Sequence, residues 1–193
     1  LDKLEKIKDL DFSFSYKQFN AKSLMTVEGL TFSYDKQHDI VKNLDLSVRS
    51  DDRICVIGKN GRGKTTLLRL LSGNLKPDSG TITTHPNMCS GYFAQTNVIN
   101  LNENLTIEEE IMFAGCEKQA ARNIAGAMMF EGDDALKKIS VLSGGEKNRV
   151  LLGKILATPS NLLFLDEPTN HLDMESCDAL MAAVDSFPGA VIM

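Results

Sequence analysis

The residues Gly58-Lys59-Asn60-Gly61-Arg62-Gly63-Lys64-Thr65-Thr66 constrain this chain more than any other stretch. The apolar run Ile54-Cys55-Val56-Ile57 leads into them, and Leu67-Leu68-Arg69-Leu70-Leu71 follows. Strand, glycine-rich turn, helix is the setting in which Gly-x4-Gly-Lys-Thr forms a phosphate-binding loop. Glycines let backbone N–H groups close around phosphate oxygens, and the helix N-terminus adds the positive end of its dipole. In such a loop Lys64 reaches the β- and γ-phosphates, and the Thr65 hydroxyl ligates Mg²⁺. Gly58, Asn60, Gly61, Gly63 and Thr66 complete the cradle.

At 193 residues the chain has room for one sizeable core with a small inserted lobe. A net charge of -5 does not describe a general nucleic-acid binder, although a local basic patch is compatible with it. No apolar run approaches the roughly 20 residues needed to span a bilayer. The start, Leu1-Asp2-Lys3-Leu4-Glu5-Lys6, is too charged for a signal peptide and reads as a piece of a longer protein. Cys55, Cys89, Cys116 and Cys177 are scattered, which fits a reducing cytoplasm rather than zinc or disulfides.

Along the chain, Leu1, Leu4, Ile7 and Leu10 recur at helical spacing among charges, as at the end of an amphipathic helix. Asp11 to Tyr16 alternates apolar and polar, as a short strand or extended tail. The stretches Leu24–Glu28, Leu30–Tyr34 and Ile40–Val48 predict an antiparallel sheet. Tyr34 is either an exposed ring able to stack on a base or a packed edge-strand residue; the sequence favours neither. Lys76-Pro77-Asp78-Ser79-Gly80 is a turn by composition, with strands expected over 81–85 and 88–93. Gln95, just past the second, is an amide able to ligate Mg²⁺ or position water. Residues 105–112 open like a helix with acids in its first turn, within a small helical insertion. Its Met128-Met129-Phe130 stripe reads as core.

Ser143-Gly144-Gly145 opens a second helix, which extends through Leu156, and offers another cluster of N–H donors. One chain needs one phosphate cradle, so this second cluster makes sense facing the nucleotide of another domain. Leu162-Leu163-Phe164-Leu165 then reads as a buried strand ending in Asp166 and Glu167. An aspartate there suits a Mg²⁺ held beside phosphates, and the adjacent Glu167 is placed to polarise an attacking water.

Jointly, these motifs resemble the ATP-binding-cassette (ABC) ATPases over residues 24–193. The resemblance implies an α/β fold: a P-loop NTPase core with a mostly parallel sheet, an N-terminal antiparallel β-subdomain and a small inserted helical subdomain. It divides the chain into a linker end and lead-in strand (1–22), a first core part with the antiparallel sheet (23–96), a helical subdomain (97–141), and a signature helix with the second core part (142–193). It implies ATP and Mg²⁺ as ligands. Tyr34 corresponds to the adenine-stacking aromatic, and Gln95 to the glutamine linking Mg²⁺ to the helical lobe. Ser143 through Glu146 correspond to the signature, Asp166 to the Mg²⁺ partner and Glu167 to the catalytic carboxylate. Asp173 belongs to the loop that crosses the dimer interface. In this family the signature of one cassette closes the ATP site of another.

Within the family the chain looks like the second cassette of the ABC-F branch, whose members carry two cassettes on one polypeptide and act on ribosomes near the tRNA exit site. The pointers are Ser143-Gly144-Gly145-Glu146-Lys147-Asn148-Arg149, Glu167-Pro168-Thr169-Asn170-His171-Leu172-Asp173, and Phe12-Ser13-Phe14 after a charged helix. The resemblance thus implies an ATPase, a cytoplasmic location, a second cassette and the ribosome or tRNA as partners, and no direct membrane insertion. Two other readings stand beside it: the motor subunit of a membrane transporter, and a module that binds ATP without turning it over. Arg62 stands where small residues are usual. The family's switch histidine would fall shortly beyond Met193, and His171 is not its equivalent, so these residues alone are expected to hydrolyse ATP poorly.

Overall fold

Leu162-Leu163-Phe164-Leu165 has no polar position, so a strand made from it needs cover on both faces. That strand, β6 (Leu162–Leu165), is buried at every residue. The computed structural model describes residues 13–170, 172 and 174–193. The helix end read from Leu1 to Leu10 lies outside the described residues, as do His171, Asp173 and the side chain of Gln95.

Parallel partners flank β6, with β5 (Ser90–Phe93) on one side and β7 (Ala190–Ile192) on the other. Beyond β7 lies β3 (Arg53–Ile54), giving the order β3-β7-β6-β5. The regular pairing of β3 is shorter than the Ile54–Ile57 run. Val56 N–H still donates to the Met193 carbonyl at 2.5 Å before the chain turns into the glycine-rich loop, and the Ile57 side chain is exposed. Helices α1 (Lys64–Leu71), α4 (Gly144–Ala157) and α5 (Met174–Ser186) lie between the strands in sequence. None of the helices among the described residues is long and apolar enough to cross a membrane.

The two faces of this sheet enter two cores. Leu163, Leu165 and Val191 pack with residues of α4, α5, α2 (Ile107–Met112) and α3 (Lys118–Ala127). Leu162, Phe164, Ala190 and Ile192 pack with α1 and with a second, antiparallel sheet. That sheet has the order β2-β1-β4, from β1 (Ser23–Phe32), β2 (Val41–Arg49) and β4 (Ser79–Thr84). The expected stretches Leu24–Glu28 and Leu30–Tyr34 are one strand. Its register against β2 shifts between Val27 and Leu30, and the Gly29 N–H is taken by Asp45 Oδ1 at 2.6 Å. Tyr34 lies past its end. Chemically, then, the described chain is an α/β protein with one parallel and one antiparallel sheet.

The acids at the start of α2 do more than complement its dipole. Glu109 completes a capping box with Thr106. Glu108 and Glu110 are buried. Glu108 pairs with Arg122, which holds its carboxyl below the usual range, and with Lys118 at 3.2 Å. Glu110 pairs with Lys154 of α4 and accepts the Asn102 N–H at 3.3 Å. Two buried carboxylates, each with its cation, thus tie α2 to α3 and α4. Met128 and Phe130 are core as expected, whereas Met129 points outward with a left-handed backbone (φ 66°) and is half exposed.

Where β4 crosses β1, Gly80 has φ +87°, and a Cβ there would lie 2.5 Å from the Gly29 backbone and 2.6 Å from the Glu28 carbonyl. Strain and overlap act together at this position. Gly80→Ala is expected to destabilise the chain by at least about 2 kcal/mol in urea unfolding; a wild-type midpoint would show that the two strands part easily.

Candidate functional site

The loop after β3 delivers its lysine by backbone geometry. Gly63, at the N-cap of α1, has φ +92°, and a Cβ there would lie 2.3 Å from Ile40 Cγ2. Lys64 is the first residue of α1, so its side chain leaves from the helix start. Its Nζ donates to the Gly58 carbonyl at 3.0 Å and to Asn60 Oδ1 at 3.1 Å, and it stands 3.8 Å from Glu167 Oε1. The ammonium is therefore held by three oxygens at the mouth of the helix dipole.

The buried strand β6 brings the acids. Asp166 follows Leu165 directly, is buried, and its N–H donates to the Phe93 carbonyl of β5 at 2.9 Å. Burial raises its carboxyl above the ordinary 3.8 and the charge of Glu167 pushes the same way; a hydrogen bond with Thr65 and the charge of Lys64 oppose them. Glu167 points into solvent-accessible space from a left-handed backbone, φ 50°, immediately before Pro168. A non-glycine residue in that region is strained. Asn170 braces it twice: its N–H bonds to the Glu167 carbonyl at 3.2 Å, and its Nδ2 donates to Glu167 Oε2 at 2.8 Å.

Tyr34, Ile40, Asn60, Gly61, Gly63, Lys64, Thr65, Thr66 and Glu167 line one cavity of about 550 Å³. Of the two sequence readings of Tyr34, the packed one does not describe it, because the residue is 59% exposed. The ring stands edge-on against Phe32, centroids 4.9 Å apart, and its hydroxyl lies 3.3 Å from Thr66 Oγ1. Gln95 begins a 3₁₀ turn, Gln95–Asn100, directly after β5 and the extended Ala94.

Ser143 through Gly145 are not among the residues described as lining this cavity. Ser143 caps α4: its Oγ accepts the Glu146 N–H at 3.3 Å, and Glu146 Oε2 accepts the Ser143 N–H at 2.8 Å. Space is open beside both Gly144 and Gly145. The Ser-x-x-Glu spacing of a capping box announces the contact between Ser143 and Glu146. Two contributors were missed from sequence. Ile40 and Asn170 carry no such signal, since a packing contact and a turn amide depend on the fold.

The Thr65 hydroxyl and the buried Asp166 carboxylate, which Thr65 helps to keep charged, form an oxygen pair that fits Mg²⁺, a cation that keeps most of its waters. Fold and loop together define a P-loop nucleotide-binding domain. The family model described as ABC transporter matches residues 41–170, and the chain belongs to that family. It is 42% identical to the probable ATP-binding protein YbiT of Escherichia coli O157:H7, over 89% of this chain and 33% of that protein. It is 36% identical to human ATP-binding cassette sub-family F member 3, over 100% of this chain and 28% of that protein. The chain thus spans a third or less of these relatives. A bacterial Atm1-family ABC exporter with ATP bound shares the fold, with a TM-score of 0.73 at 22% identity, covering 97% of this chain and 37% of that one.

Because burial dominates at Asp166, its charge opposes folding. Stability is lost as pH rises from 3.8 through the raised value, and the penalty is complete at neutral pH. Asp166→Asn is expected to raise the nucleotide-free melting midpoint at pH 7, with the gain shrinking toward pH 3.5. A lower midpoint at pH 7 would mean that Lys64 and Thr65 outweigh desolvation.

Proposed function

We propose that this chain binds MgATP in the cavity between Tyr34 and the 58–66 loop, and that within the intact protein the site hydrolyses it. The observation that carries this reading is the Lys64 ammonium, held at a helix start by two loop oxygens and Glu167. A triphosphate offers that cation stronger partners than a carbonyl and an amide, so Gly58 and Asn60 serve as placeholders. Gly61, Gly63, Thr65 and Thr66 present N–H groups to the phosphates, and the exposed Tyr34 ring stacks on the base. Thr65, Asp166 and Gln95 would hold Mg²⁺, directly or through water. The cation, when bound, neutralises charge developing on the phosphate oxygens. Glu167, braced by Asn170, accepts a hydrogen bond from the water that attacks the terminal phosphorus.

The site is complete only with a partner in this proposal. Ser143, Gly144 and Gly145 stay clear of this chain's own cavity while the space beside both glycines is open. That arrangement supports a sandwich in which a second cassette receives them, with Asp173 in the crossing loop. The relative named for sub-family F supports an ABC-F assignment, and with it a cytoplasmic, ribosome-associated role near tRNA in translation. We retain the division at residues 1–22, 23–96, 97–141 and 142–193 as part of the same proposal.

Lys64→Ala is expected to weaken MgATP binding by at least about tenfold, the loss of a charge-assisted contact of about 1.5–3 kcal/mol; calorimetry showing unchanged affinity removes Lys64 from the site. In the intact protein, with the second site disabled, Glu167→Gln should keep ATP binding, nearly abolish turnover and accumulate the closed sandwich. Turnover at the wild-type rate in that background contradicts the role given to Glu167.

A further inference from the structure

Asp78 lies in the turn before β4, and nothing in the nucleotide chemistry above uses it. Its contacts reach the loop that carries Tyr34. Asp78 Oδ2 accepts the Ser33 N–H at 2.9 Å, Oδ1 pairs with the Lys36 ammonium, and the Asp78 N–H donates to the Thr31 carbonyl at 3.0 Å. Tyr34 therefore sits between two residues held by one carboxylate. Inside the loop, Lys36 has a left-handed backbone, φ 62°, and its N–H donates to Ser33 Oγ at 2.9 Å. Asp35 Oδ1 accepts from Ser33 Oγ at 2.9 Å and from the His38 N–H at 2.8 Å.

The Tyr34 ring has little else to hold it. It is more than half exposed, meets Phe32 only edge-on, and its hydroxyl reaches Thr66. A ring on a loose loop must be ordered when a ligand arrives, and apparent affinity falls with the fraction of molecules already competent. The pairing with Lys36 and the Ser33 N–H keep the Asp78 carboxyl below its ordinary value, so this brace is charged throughout the neutral range.

We propose that Asp78 is a positioning residue for the nucleotide base: through Ser33 and Lys36 it holds the Tyr34 ring ready to stack. The proposal rests on the reading that Tyr34 stacks on the base. It predicts an effect confined to ligands that have a base, because none of these contacts involves the 58–63 loop.

The test uses calorimetry on the chain with two probes, MgATP and magnesium tripolyphosphate, and compares wild type, Tyr34→Ala, Asp78→Ala, Asp78→Asn and the Tyr34→Ala/Asp78→Ala double variant. Asp78→Ala is expected to weaken MgATP about three- to tenfold while leaving tripolyphosphate within about twofold. Asp78→Asn keeps an oxygen for Ser33 but loses the charge for Lys36, and should fall between. The double variant should bind MgATP no more weakly than Tyr34→Ala, since both act through one ring. Unchanged MgATP affinity in Asp78→Ala, equal losses for both probes, or additive losses in the double variant would overturn the proposal. Should Asp78→Ala fail to fold, Asp78→Asn is judged by the same ratio of the two probes. If Tyr34→Ala itself binds MgATP like wild type, base stacking is wrong and this proposal goes with it; a Tyr34 effect without an Asp78 effect strikes the proposal alone.

Discussion

The ammonium of Lys64 stands 3.0 Å from the Gly58 carbonyl, 3.1 Å from Asn60 Oδ1 and 3.8 Å from Glu167 Oε1. A cation so placed needs a rigid loop on one side and an acid on the other, and most of the fold supplies one or the other. The loop is set by the left-handed Gly63 packed against Ile40, which belongs to the segment between β1 and β2. The acids arrive on β6, whose position is fixed by apolar cover on both faces. The two cores therefore meet at the site: one seats the loop and helix α1, the other seats the helices beyond.

Part of the site is kept at a cost to stability. Asp166 is a buried carboxylate whose desolvation, together with the charge of Glu167, outweighs the help it gets from Thr65 and Lys64, and Glu167 holds a strained backbone before Pro168. Features that oppose folding and persist beside a cavity are those expected where a ligand compensates them. The helical segment shows the opposite treatment. There the buried acids Glu108 and Glu110 each have a cation within the chain, and no ligand is needed.

Local chemistry makes much of this legible in the sequence. The glycine-rich loop, the apolar strand ending in two acids and the serine at the start of α4 are patterns in which neighbours in sequence are neighbours in space. Strand ends were less legible, because the β1 kink at Gly29 and the short pairing of β3 depend on partners far along the chain. Met129 escaped for a related reason: a left-handed residue at a helix end breaks the periodicity on which the stripe was read. Asp78 was visible only as a turn residue, since its 45-residue reach to Ser33 is a product of the β1–β4 pairing.

The central claim is that the oxygens around Lys64 are placeholders for phosphate. Hydrogen exchange at the amides of residues 58–66, followed with and without saturating MgATP, addresses it most directly. The account predicts marked slowing across this loop and the first turn of α1, as N–H groups exchange water for phosphate oxygens. Equal exchange in the two conditions would contradict it.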